Sequence, residues 1–142
     1  MGQARRVVER VLALADARDR DGFDDLLAPD AEFVMPAASV RGREAIAGFG
    51  RAWDRAFTGG RHTIRGVAED GDRVVVEVGW TATHTGPLAT PQGEIPATGR
   101  QVSMDHVLAV RVDGDLLASM HVYMDMLGFM AQLGLVPEPV AS

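Results

Sequence analysis

The sequence predicts an α+β domain, and three observations carry that prediction. Apolar residues recur three or four apart from the N-terminal stretch to Phe57. From Arg61 to Asp125 the apolar spacing changes to every second residue. The two patterns are not interleaved, so helices fall mainly early and strands late, unlike the alternation of α/β proteins. The length of 142 residues fits one domain, with a core over about residues 3–134 and a tail over 135–142. A chain of that size buries roughly 70% of its unfolded surface and needs neither metal nor disulfide to hold a core.

Gln3 to Arg20 sets Val7, Val8, Val11, Leu12, Leu14 and Ala15 at helical spacing. Arg5, Glu9, Arg10, Asp16 and Arg18 take the opposite face, so this is an amphipathic helix that covers something. A short second helix follows over Asp21–Leu27, with Asp21 as N-cap and Pro29 as its stop. Ala31 to Met35 reads as a short strand ended by Pro36. The next helix opens in Val40-Arg41-Gly42-Arg43-Glu44 and runs to about Phe57. Ile46, Phe49, Trp53 and Phe57 form its apolar stripe, and Gly59-Gly60 ends it.

Arg61 to Ala68 is a weak strand that begins with an exposed His62. Asp70-Gly71-Asp72 turns the chain into a strong strand, Arg73 to Thr85, with Val74, Val76, Val78, Trp80 and Ala82 on one face. Gly86 to Gly99 contains Pro87, Pro91, Gly93 and Pro96 and has no periodicity. It reads as a long surface loop, of the length that often serves as a lid or binding loop. Gln101 to Val112 is the next strand, with Val102, Met104, His106, Leu108 and Val110 on one face. After Asp113-Gly114 comes the last long strand, Leu116 to about Asp125. A short helix from Leu127 to Leu133 is stopped by Gly134, and Pro137-Glu138-Pro139 is extended. Four strands in a meander make an antiparallel sheet, and the early helices are its only available cover.

The formal charge of −6 argues against nucleic acid, because phosphate neutralisation needs a basic face, and against an anionic membrane surface. The absence of cysteine excludes disulfide scaffolds, thiolate metal sites and cysteine nucleophiles. Four histidines occur without HxH, HxxxH or HExxH spacing, so no metal is expected. No G-x-S-x-G elbow or P-loop is present. Met1 to Ala17 is amphipathic rather than a continuous apolar leader, and no run approaches the ~20 apolar residues that span a bilayer. The expected compartment is the cytoplasm.

The order of elements is that of the cone-shaped fold of nuclear transport factor 2-like proteins. The segment Asp125-Met126-Leu127-Gly128-Phe129-Met130-Ala131-Gln132-Leu133-Gly134 resembles the Asp-x-x-Gly and Gln-Leu-Gly ending of the SnoaL-like polyketide (ester) cyclase family. His84-Thr85-Gly86 and Pro96-Ala97-Thr98-Gly99-Arg100 resemble the segments flanking that family's corresponding loop. Gly42-Arg43-Glu44-Ala45-Ile46 resembles its third-helix opening. The resemblance implies a curved sheet wrapped round helices with an internal pocket, and intramolecular aldol cyclisation without metal or organic cofactor. It also implies a small hydrophobic ligand and, as is common for the fold, a homodimer through the outer sheet face. It places the acid/base on Asp125. Aromatic polyketide cyclases carry a histidine late in the preceding strand, where Val110 stands here; His106 lies four residues earlier on the same face.

Position alone gives Asp125 a second reading, as N-cap of the last helix through the Leu127 or Gly128 amide. By period two, His121 and Tyr123 share the face of Asp125. His121 is then a second acid/base or a wall residue, and Tyr123 a donor to a developing enolate or a boundary residue. His106 is a pocket residue with acid/base capacity or a satisfied core histidine. Trp80, Trp53, Met35, Met104 and Phe49 are core residues that the cone fold would turn into cavity lining. His84 lies near the expected mouth. The same pocket serves an acid/base enzyme or a non-catalytic binding protein.

Overall fold

The computed structural model describes residues 2–36, 38–90 and 92–136; Pro91 and the tail segment Pro137-Glu138-Pro139 lie outside them. Helix α1 (Gln3–Asp16) and helix α2 (Arg20–Asp25) are followed by strands β1 (Leu27–Met35) and β2 (Ala38–Arg41). Helix α3 (Arg43–Ala56) leads directly into β3 (Phe57–Asp70) and β4 (Arg73–His84). The small strands β5 (Leu88–Thr90) and β6 (Gly93–Ile95) precede β7 (Gln101–Asp113), β8 (Leu116–Met124) and helix α4 (Met126–Gln132).

Several local expectations are corrected. Val40 and Arg41 belong to β2, which pairs antiparallel with β1. The turn into α3 falls on Gly42, whose φ of 94° favours glycine. The N-cap of α2 is Asp19, not Asp21: its Oδ1 accepts from the Gly22 amide at 2.9 Å. Gly59-Gly60 does not terminate a helix. The two glycines sit where the β3–β4 register slips between Thr58 and Arg61. That irregularity sets the phase of the rest of β3. The 86–99 segment holds the β5–β6 hairpin, with Leu88 buried.

The main sheet has the order β2-β1-β8-β7-β4-β3. The β3–β4, β4–β7 and β7–β8 pairs are antiparallel, but β1 runs parallel to β8. The expected antiparallel meander is thus present, and β1 joins it in parallel, since short turns fix antiparallel pairing only between consecutive strands. After β1 the chain crosses through α3 to the far edge, and nothing local ties β1 to β8. The inner face carries Val74, Val76, Val78, Trp80 and Ala82, all buried, beneath α1 and α3. Each of the three valines contributes roughly 1.5–3 kcal/mol on burial.

The core splits into two apolar clusters. One joins α1, with Val8 and Val11, to the sheet around Val76, Leu108 and Met120. The other gathers Phe57, Trp80, Val102, Phe129 and Leu133 under α4. Gln132 fastens α4 to β7 in the manner of a strand, accepting from the Ser103 amide at 2.7 Å and donating to its carbonyl at 2.9 Å.

One irregularity governs the site. Arg111 pairs with Ser119 while Val112 pairs with Leu117, so Ala118 is an extra residue in β8. Such a bulge reverses which residues face the core. Leu117 is buried before it and Met120 after it. Val122 and Met124 continue the inward series, and Tyr123 is 60% exposed on the other face.

Candidate functional site

Between the two clusters lies a cavity of about 160 Å³. Its walls are apolar, and an aromatic row runs along one side. Phe33 meets Phe49 at 5.4 Å between centroids, Phe49 stacks on Trp53 at 6.3 Å, and Trp53 meets Trp80 at 5.7 Å. Four methionines, Met35, Met104, Met120 and Met124, complete much of the rest. Members of both clusters contribute, so the cavity is a gap between two well-packed halves. No residue of the 86–99 segment lines it among the described residues.

Three polar side chains reach this wall: Arg20, His62 and His106. His62 stands opposite Trp80, and Trp80 opposite Met104, along one cross-strand row of β3, β4 and β7. The carboxylate of Asp16, in the last turn of α1, grips His62 twice. Oδ1 lies 2.5 Å from Nδ1, and Oδ2 accepts from the His62 amide at 2.8 Å. A carboxylate partner makes Nδ1 the donor, which leaves Nε2 with the lone pair of the neutral ring.

His106 lies edge-on to His62, with ring centroids 6.2 Å apart. Burial, and then the neighbouring His62, push its pKa from 6.5 down to about 4, against the opposing pull of Asp105. At neutral pH it is therefore an uncharged imidazole, able to donate one hydrogen bond and accept another.

Arg20 forms a two-point pair with Asp54 of α3, Nε to Oδ2 at 2.5 Å and Nη2 to Oδ1 at 2.7 Å. The two side chains are only 15% and 17% exposed. The turn between α1 and α2 is held in place by Arg18, at a φ of 57°. Its Nη1 and Nη2 donate to the carbonyls of Phe57 at 3.0 Å and Asp54 at 2.9 Å. Asp16 and Arg20 thus flank one turn that is stapled to the junction of α3 and β3.

The residues expected in the site divide sharply. His106, Trp80, Trp53, Met35, Met104 and Phe49 line the cavity. Asp125 does not: it is exposed and caps α4, its Oδ1 accepting from the Gly128 amide at 2.9 Å. His121 and Tyr123 share the face of Asp125, but that face is the outer one, because the bulge at Ala118 reverses β8. His121 Nε2 instead meets Glu32 Oε1 at 3.3 Å. Glu32 is held below the usual carboxylate range by hydrogen bonds from Arg41 and then His121. His84 is fully buried against the Phe57 ring and does not line the cavity. Its Nδ1 lies 3.0 Å from Thr98 Oγ1 and accepts from the Thr98 amide at 3.2 Å. Burial lowers its pKa, partly countered by the Gly86 backbone.

The exposed position expected for His62 is also corrected: its side chain is 17% exposed and faces the cavity. Asp16 and Arg20 were not singled out by pattern at all. Among the described residues, no three histidine or carboxylate side chains are grouped so as to hold a metal ion.

A curved mixed sheet closing over helices, with an apolar cavity inside, defines the nuclear transport factor 2-like class. Within it, the chain belongs to the SnoaL-like domain family, whose model matches residues 8–120. It is similar to a protein of Jannaschia sp. CCS1 named a SnoaL-like polyketide cyclase, with 22% identity and a TM-score of 0.83 over 95% of this chain and 94% of that one. It is also similar to TsrD of Streptomyces laurentii, with 27% identity and a TM-score of 0.79 over 94% and 96%. A Catenulispora acidiphila protein of ketosteroid isomerase-like fold matches at 22% identity and a TM-score of 0.76 over 95% and 97%. No curated protein matches the chain. No helix among the described residues is long and apolar enough to cross a membrane.

Proposed function

We propose that this SnoaL-like protein binds a small apolar carbonyl compound in its internal cavity and moves a proton on it without a cofactor. His62, held by Asp16, is the acid/base in this reading. The observation that carries it is the 2.5 Å contact between Asp16 and His62 Nδ1 in the wall of an otherwise apolar cavity. Asp16 fixes the tautomer and stabilises the imidazolium that forms. Nε2 takes the proton from a carbon next to the carbonyl, leaving an enolate. Neutral His106 donates its N–H to the enolate oxygen, a role an uncharged imidazole can fill. Return of the proton to another carbon is isomerisation. Attack of the enolate carbon on a second carbonyl of the same molecule is aldol cyclisation, the alkoxide so formed taking the proton back from His62 Nε2. Both share the first step, and both fit a family of cyclase type.

The acid/base role expected of Asp125 moves in this reading to the Asp16–His62 pair. The outer face of the sheet, where Val75 and Tyr123 are exposed, is the surface we assign to a homodimer contact.

The test is exchange of the α-hydrogens of cyclohexanone, a single-ring ketone, for deuterium, followed by NMR with the intact protein. We expect catalysed exchange that slows by about a hundredfold or more in His62→Gln and in Asp16→Asn, with ring binding kept. A wild-type protein that binds the ketone but exchanges it at the buffer rate is a ligand-binding module instead.

A further inference from the structure

Arg20 is a cavity residue that the proton-transfer reading leaves unused. Its guanidinium offers five N–H donors in a planar fork. Asp54 engages Nε and Nη2, while Nη1 has no partner among the described residues. The guanidinium carbon also lies 4.9 Å from the centroid of the Phe23 ring, which lines the same cavity. Gly50 of α3 lines it too, and a Cβ there would sit 2.8 Å from Nη1. Only a residue without a side chain leaves Nη1 uncovered at that point of the wall. Nη1 is accessible rather than buried, so it can donate to an acceptor that enters the cavity.

Size and charge narrow what that acceptor belongs to. A cavity of about 160 Å³ compares with the ~150 Å³ apolar cavity that takes up benzene. It holds one ring rather than a fused polycycle. The guanidinium charge is already neutralised by Asp54, so a hydroxyl or carbonyl oxygen is the better complement, not a carboxylate.

We propose that Nη1 of Arg20 is a substrate-orienting donor and that the cavity takes a single planar ring carrying a neutral oxygen substituent directed at it. The substrate class is thus an oxygenated monocycle, such as a phenol or a ring ketone. The inference rests on the cavity being the ligand site, but not on the proton transfer assigned to His62.

The experiment measures dissociation constants of the intact protein for toluene, 4-methylphenol and 4-methylbenzoate by calorimetry or NMR titration. In the wild type, 4-methylphenol binds about tenfold or more tighter than toluene, the usual strength of a hydrogen bond to a charged group, and tighter than 4-methylbenzoate. Gly50→Ala would put its Cβ 2.8 Å from Nη1, so the guanidinium must shift and Nη1 is displaced from that point of the wall, while alanine suits a helix better than glycine. It brings the phenol-to-toluene ratio towards one. His106→Leu lowers that ratio less than Gly50→Ala does. Equal affinity for toluene and 4-methylphenol in the wild type overturns the proposal, as does a ratio that survives Gly50→Ala but collapses in His106→Leu. Tightest binding of 4-methylbenzoate also overturns it. If none of the three binds, the cavity is not a ligand site, and the proposed function falls with it; exchange lost with the ratio intact refutes only the proton transfer.

Discussion

His106→Leu should flatten the acid limb of the protein's stability. The folded state holds His106 at a pKa of about 4, against 6.5 in the unfolded chain. A base whose pKa is depressed on folding binds fewer protons in the native state. Acid therefore favours the unfolded chain, and stability is lost as pH falls from about 6.5 towards 4. At pH 5 an unfolded imidazole is nearly all protonated, whereas the buried one is about nine-tenths neutral. Linkage makes that difference worth about 2 kcal/mol relative to neutral pH. Urea denaturation of both proteins at pH 7 and pH 5 measures it, since other groups contribute alike to the two and cancel in the comparison. The wild type should lose about 2 kcal/mol more than the leucine variant. Parallel losses would refute the reasoning, as would a His106 ring proton that titrates near pH 6.5 by NMR, because His106 would then not be buried as a neutral ring.

Asp125→Ala should cost about 1 kcal/mol, the usual worth of an N-cap, with no change in ligand affinity; a loss of ring binding would put Asp125 back at the cavity. Tyr123→Arg places a charge on the outer face beside Val107 and should abolish the proposed homodimer, read as a change in sedimentation coefficient. Its thermal midpoint measured at low concentration should not move, because Tyr123 is 60% exposed.

Much of the inner surface was legible because alternation is a strong signal where one face is buried. The series from Val74 to Ala82 and from Val102 to Val110 sit as their spacing requires, and they carry Trp80, Met104 and His106 to the cavity. Strand β8 was not legible in the same way. Its spacing correctly groups His121, Tyr123 and Asp125 on one face, but only the register against β7 shows that Ala118 is extra. Period two cannot say which face is in when a single inserted residue inverts the phase. His62 was hidden for a related reason. The irregularity at Gly59-Gly60 sets its phase, and Ile64 is the one apolar residue two positions from it that hints at an inward face. Asp16 reads as part of a polar helix face; that it turns to His62, 46 positions on, is a fact of packing. Strand β2 was masked because Val40 to Glu44 reads as the opening of a helix. The one cue in reach was the glycine pair itself, since paired glycines at a strand's start can mark a bulge as well as a stop.

The cavity is not explained as imperfect packing. Even as an upper bound, for a fully closed apolar void, a volume of about 160 Å³ would forfeit on the order of 4 kcal/mol at ~24 cal/mol per Å³. That is a large fraction of the 5–15 kcal/mol by which folded domains are typically stable. Loose packing would also leave the void purely apolar, since nothing in a core gains from a charged guanidinium or two imidazoles. Here Arg20, His62 and His106 converge on it, each fixed or neutralised by a named partner or by burial. The four methionines among its walls are the side chains most able to shift around a guest without backbone movement. An aromatic row that stacks on flat rings, soft walls that adjust their width, and polar groups at defined points make a coherent recognition surface. On the proposed function, the stability withheld from the empty fold is what a ring of matching shape would recover on entering.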